Sequence, residues 1–172
     1  MALRDGRACP IAAGAARRGN EHVELEVRDM VRTVAPVVLT ITLAGIGLLH
    51  FVWAFSPWPM KDALTFTRTI GGSDDGVMPS ASSTMLVGLA LLGGAVLTLM
   101  VNGTIPAIGP KWLRLAGMYG LTLVLLARGL GGYFMNSGAA EAFQRWNTVL
   151  YSPLCVALAV LGGTVATAAG RR

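Results

Sequence analysis

The sequence predicts an all-α fold, an integral membrane bundle of four transmembrane helices, and three observations carry that prediction. Four apolar runs, Val34–Phe55, Ser82–Val101, Trp112–Leu130 and Val149–Ala169, each have the length of about 20 residues that crosses a hydrocarbon core of about 30 Å. Of the 172 residues, 53% are hydrophobic and only 13% charged, about half the charge of a soluble domain. The charges lie mostly at the ends of the chain and in the connections. The expected organisation is a cytoplasmic tail over 1–31, disordered apart from a short surface helix, and a membrane domain over 32–170. No room is left for a soluble catalytic domain.

The tail is rich in Ala, Gly and Arg up to Asn20 and lacks the apolar core of a cleavable signal. Glu21–Arg32 interleaves charges with Val23, Leu25, Val27, Met30 and Val31, a pattern for a short surface helix. Span one opens near Pro36, where proline suits a first helical turn. It stops at Ser56-Pro57-Trp58-Pro59, with Trp53 and Trp58 placed for the headgroup level. The longest connection, Ser56–Ala81, contains the turn signal Gly71-Gly72-Ser73-Asp74-Asp75-Gly76 and a candidate surface helix from Lys61 to Ile70. Span two ends at Asn102-Gly103, and a tight loop through Pro106 and Pro110 leads to span three at Trp112. The small-residue pairs Ala90/Gly94, Ala116/Gly120 and Ala159/Gly163 are expected to bring helix backbones together.

Charge placement sets the expected orientation. Ten basic residues, Arg4, Arg7, Arg17, Arg18, Arg28, Arg32, Lys111, Arg114, Arg171 and Arg172, fall on one side, against Lys61, Arg68, Arg128 and Arg145 on the other. The positive-inside rule then puts both termini in the cytoplasm. Arg outnumbers Lys twelve to two, and with abundant Ala, Gly and Val this points to a GC-rich bacterial genome, hence to a bacterial inner membrane. The net charge of +5 reads as topology signal and contact with anionic lipid, not as a nucleic-acid surface, because no basic patch interleaves with aromatics.

Polar groups inside the spans are the informative ones, because lipid burial is costly unless they are satisfied. His50 and Trp53 lie one turn apart near the outer end of span one. Arg128 and Tyr133 lie near the outer end of span three, and Asn147 and Tyr151 in the first turns of span four. These six residues are expected to converge near the outer leaflet as a polar-headed pocket or as an interhelical network. At the inner end Asn102 is the only amide. No cofactor or metal is expected. The second histidine, His22, is in the tail, which leaves His50 with at most Met85 as a partner for haem, and no zinc ligand set is present. Cys9 and Cys155 form no C-x-x-C pair and fall on opposite sides of the membrane. None of the four spans contains Asp or Glu, which leaves His50 as the only ordinary acid–base group.

Three stretches resemble the DUF3995 family, small bacterial four-span membrane proteins of unassigned function. They are Leu49-His50-Phe51-Val52-Trp53-Ala54 with Trp58-Pro59, Ala127-Arg128-Gly129-Leu130-Gly131-Gly132-Tyr133, and Phe143-Gln144-Arg145-Trp146-Asn147-Thr148-Val149-Leu150-Tyr151-Ser152-Pro153-Leu154-Cys155. The resemblance spans roughly Val34–Ala168. It implies the four-span fold and an Asp where this chain has Asn147, so that an acidic partner for Arg128 or His50 is replaced by an amide. It implies no activity.

The leading expectation is a membrane protein without enzymatic activity that binds a lipid headgroup, a small amphiphile or a partner helix at the six-residue cluster. Arg128 would meet the anionic group, Asn147 and Tyr151 would orient it, His50 would respond to pH, and Trp53 would pack on the apolar part. Two alternatives stand beside it. One is a membrane enzyme acting on a lipophilic substrate with His50 as general base. The other is a structural subunit of a homo-oligomer or of a larger membrane complex.

Overall fold

The computed structural model describes the backbone of residues 10–134 and 136–171, and the side chains of Asp29, 32–134 and 136–171. The helices are α1 (Pro10–Trp53), α2 (Ala63–Phe66), α3 (Ala81–Asn102), α4 (Lys111–Phe134), α5 (Glu141–Trp146) and α6 (Ser152–Gly170). Two π-helical turns, Thr67–Gly71 and Asn147–Tyr151, extend α2 and join α5 to α6. Four rods, Arg32–Trp53, Ala81–Asn102, Lys111–Phe134 and Glu141–Gly170, are long and apolar enough to cross a membrane. The protein is thus an all-α membrane bundle.

Residues 1–9 of the expected tail lie outside the described residues. From Pro10 the backbone is helical and continuous with the first span. Pro36 therefore sits inside α1 and not in its first turn. The proline removes the N–H that would bond the Arg32 carbonyl. The interruption is tolerated because it falls at the start of the Arg32–Trp53 span, at the membrane boundary. Span four begins at Glu141 and not at Val149, since α5 and the π turn continue α6 without a break. Pro153 accounts for the π turn. A proline ring clashes with the carbonyl four residues back, and widening that turn relieves the clash. The Ser152 N–H accordingly donates to the Asn147 carbonyl, five residues back.

Helix α1 packs along α3, and α4 along α6; α1–α6, α3–α4 and α3–α6 contacts close the bundle, with α1 and α4 at opposite corners. Leu39, Leu43, Met118, Leu158 and Ala166 fill the core. The Thr98 hydroxyl there donates to the Gly94 carbonyl at 2.8 Å. Large apolar residues face outward along the spans, among them Ile41, Leu86, Leu123 and Val124, each 66–68% exposed. That surface fits hydrocarbon as its solvent.

The close approaches are made by glycines other than those expected. A Cβ on Gly88 would lie 3.0 Å from the Gly47 carbonyl oxygen, so α1 and α3 meet backbone to backbone. Gly129 does the same for α4 on α6, against the Val156 nitrogen and the Ser152 carbonyl, while Gly132 makes room for side chains. Of the expected pairs, Gly94 and Ala159 are buried, but Ala90, Ala116 and Gly120 face outward.

The 54–80 connection and residues 136–140 lie at one end of the bundle, called the upper end below. The 103–110 loop and the carboxyl terminus lie at the lower end. Helix α2 forms where a surface helix is expected. Asp62 caps it by accepting from the Thr65 N–H at 2.7 Å, and Gly72, at φ +82°, ends its π turn. Phe66 and Thr67 are buried beneath it. The Ala140 N–H donates to the Gly72 carbonyl at 3.1 Å, which ties the two upper connections together.

Candidate functional site

The upper end holds all six residues singled out by the sequence, but as two groups. The first lies between α4 and the α5–α6 rod and is built on Asn147. This side chain is 1% exposed and sits in the π turn. Its Nδ2 donates to the Gly132 carbonyl and to Asn136 Oδ1, both at 2.7 Å. Its Oδ1 accepts from Arg128 Nη1 at 3.1 Å and from the Ser152 hydroxyl at 3.3 Å. All four hydrogen-bonding positions of the amide are used. A chain of further bonds leads outward. Asn136 Nδ2 donates to the Thr148 hydroxyl at 3.1 Å, and that hydroxyl donates to the Gln144 carbonyl at 2.8 Å.

The space around the amide is filled. A Cβ added to Gly132 would meet Ser152 Oγ, and would lie 2.7 Å from Arg128 Nη1 and 3.0 Å from Asn147 Nδ2. Glycine at 132 is what lets the network close around the amide. Of the two expected arrangements, pocket or interhelical network, these groups form a network, with one open edge, the guanidinium. Arg128 is exposed on α4, and its other N–H groups have no partner among the described residues. It lies six residues before the end of α4, so its Cα is about 9 Å from the helix end at 1.5 Å per residue. A snorkelling arginine side chain reaches the headgroup layer from that depth. Tyr133, further up α4, is 45% exposed and takes no part in the network.

The second group lies between α1, α2 and the π turn. His50 Nδ1 donates to the Ile46 carbonyl of its own helix at 2.8 Å. This fixes the ring as the Nδ1–H tautomer when neutral and leaves Nε2 as an acceptor. The His50 and Trp53 rings are 5.0 Å apart. Trp53 meets Phe66 of α2 edge-on at 5.5 Å, and its indole N–H donates to the Trp58 carbonyl at 2.9 Å. The Tyr151 hydroxyl donates to the Thr69 carbonyl at 3.2 Å, and its ring lies 6.1 Å from Phe143. Tyr151 thus holds down the α2 cover and does not join Arg128. The cover also carries the shifted carboxyls. The Thr65 backbone N–H lowers the Asp62 pKa from its ordinary value. Asp75 is lowered by the Ser73 hydroxyl and then by the Val77 N–H.

A family model described as "Protein of unknown function (DUF3995)" matches residues 43–162, most of the chain. The chain belongs to the DUF3995 family. The matched range holds both groups and ends inside α6. No curated protein and no solved structure matches this DUF3995 chain. Sequence reasoning missed four members of the Asn147 network: Gly132, Asn136, Thr148 and Ser152. Ser152 had a local signal, a small hydroxyl residue directly before an intrahelical proline. Asn136 had only a turn signal, Asn-Ser-Gly.

Proposed function

We propose that this membrane protein binds the anionic headgroup of a lipid or small amphiphile at Arg128, laterally, on the membrane-facing side of α4. One observation carries the reading. The Arg128 guanidinium is exposed, yet it is aimed by a buried amide whose every other position is occupied. A merely snorkelling arginine needs no such support. A guanidinium presents its remaining donors as a planar fork suited to phosphate or carboxylate. Val124, one turn before Arg128 and 66% exposed, offers an apolar strip for an acyl chain. With both termini cytoplasmic, as the basic asymmetry indicates, the upper end faces the outer leaflet of a bacterial inner membrane.

Arg128→Leu and Arg128→Lys in full-length protein, with retained lipid identified by native mass spectrometry, test this. The Leu variant is expected to lose a lipid that the wild type retains, with little change in thermal stability, and the Lys variant to retain it partially. Equal lipid retention by wild type and Leu variant overturns the reading. A large loss of stability without any lipid difference assigns Arg128 to the packing network instead.

A further inference from the structure

We propose a second lipid site, at the lower end, where a cleft takes the phosphate of an anionic phospholipid from the opposite leaflet. The proposal is independent of Arg128. The cleft measures about 250 Å³ and is lined by Lys111, Arg114, Val101, Leu115 and Ala169. It lies between the end of α3, the start of α4 and the end of α6.

Charge is the first argument. No acidic residue occurs between Asp75 and Glu141, and none follows Glu141. The elements that build the cleft therefore carry no acidic side chain at this end, and neither Lys111 nor Arg114 has an acidic partner among the described residues. Arg114 Nη1 donates to the Gly109 carbonyl at 2.8 Å, which holds the head beside the 103–110 loop and leaves its other N–H groups for a ligand. Two unneutralised cations on the first turn of one helix call for an anion.

Shape and polarity make that anion a lipid. Val101, Leu115 and Ala169 give the cleft an apolar wall continuous with the spans, which a free inorganic ion does not use. Ile108 and Trp112, 75% and 68% exposed, stand beside it as residues of the membrane interface. The neighbouring cleft, lined by Arg32, Pro36 and Thr164 among others, has only about 20 Å³, room for one water. The upper cleft at Arg68 contains its own counter-charge, since Arg68 pairs with Asp74 at 2.8 Å.

The test uses full-length protein stripped of lipid in mild detergent and titrated with phosphatidylglycerol or phosphatidylcholine, with native mass spectrometry as readout. Phosphatidylglycerol is expected to bind more tightly than phosphatidylcholine. Lys111→Gln, which breaks no hydrogen bond within the protein, is expected to weaken it about fivefold, and Lys111→Gln with Arg114→Gln about 25-fold, from the effect of each cation near an anionic surface. Arg128→Leu is expected to leave this lipid in place, which separates the two sites. Equal binding of the two lipids overturns the proposal, as does wild-type binding by a Lys111→Gln variant that melts normally. Displacement of the lipid by millimolar inorganic phosphate would show an ion site and overturn the lipid assignment.

Discussion

Replacing Asn147 by Leu tests whether the packed network holds the upper end together. The substitution keeps the number and branching of the side-chain heavy atoms and removes four hydrogen bonds. Arg128 is exposed and Asn136 half-buried, so both regain partners from water or headgroups. The Gly132 carbonyl and the Ser152 hydroxyl are buried and do not. A stranded buried group costs about 1–3 kcal/mol. Hydrogen bonds between membrane helices average about 0.6 kcal/mol, because the unfolded chain in lipid also finds partners. Four bonds at the lower figure and two stranded groups at the higher one bracket the loss at about 2–6 kcal/mol. Asn147→Asp should cost less. Its carboxylate still accepts from Arg128 and Ser152, Asn136 can turn its amide to donate, and only the Gly132 carbonyl is left facing an acceptor. The assay is reversible unfolding in mixed micelles, followed by tryptophan fluorescence. The expected order of stability is wild type, then Asp, then Leu. A Leu variant within about 0.5 kcal/mol of wild type would refute the network as a stabilising element.

Three further outcomes follow from neighbouring geometry. Gly132→Ala should destabilise by about 1–3 kcal/mol through overpacking against Ser152 and Arg128, whereas Gly131→Ala, with nothing within 4 Å of its Cβ, should be neutral or stabilise by up to about 1 kcal/mol; paired melts of the two variants decide. Thr40 carries a buried hydroxyl without a hydrogen-bond partner, so Thr40→Val should leave the melting temperature unchanged or raise it, and a clear drop would count against that reading. Asp62 has a lowered pKa, so its capping contribution is complete above the unfolded carboxylate value of about 4 and is lost as pH falls through the lowered folded value. Hydrogen exchange at the Thr65 amide, corrected for intrinsic rate, should lose protection on acidification in wild type and change less in Asp62→Asn; equal pH responses would rule out the cap as the cause.

The four spans were legible because span length and apolar composition report directly on the bilayer. The α2 cover was legible in outline, since the Gly71–Gly76 turn signal marks its end, whereas the Asp62 cap at its start was not singled out. The partition of the six polar residues was not. Depth along a helix can be counted from sequence, but azimuth depends on which helices are neighbours, and α1 and α4 occupy opposite corners. His50 and Arg128 therefore share a depth without sharing a network. The early start of span four was hidden because Glu141–Arg145 is polar, whereas Pro153 and its π turn keep that segment in one rod with the apolar run. The Gly129 and Gly132 contacts were masked by a Gly-rich composition, in which spacing alone does not say which glycines face a partner.

The π turn at Asn147–Tyr151 also sets the angular phase of the fourth rod. A π turn is an α-helix with one residue inserted, and one residue of α-helix corresponds to about 100° of rotation. Everything before the turn is therefore rotated by about that angle relative to an uninterrupted helix extrapolated from α6. Asn147, at the start of the turn, addresses Gly132 on α4, and Tyr151, at its end, reaches Thr69 of the upper connection. Deleting one residue between Asn147 and Tyr151 would restore regular winding and leave composition almost untouched. It would also swing Phe143 away from Gly72 and unseat the cover, a change of gearing that no point substitution in the rod reproduces.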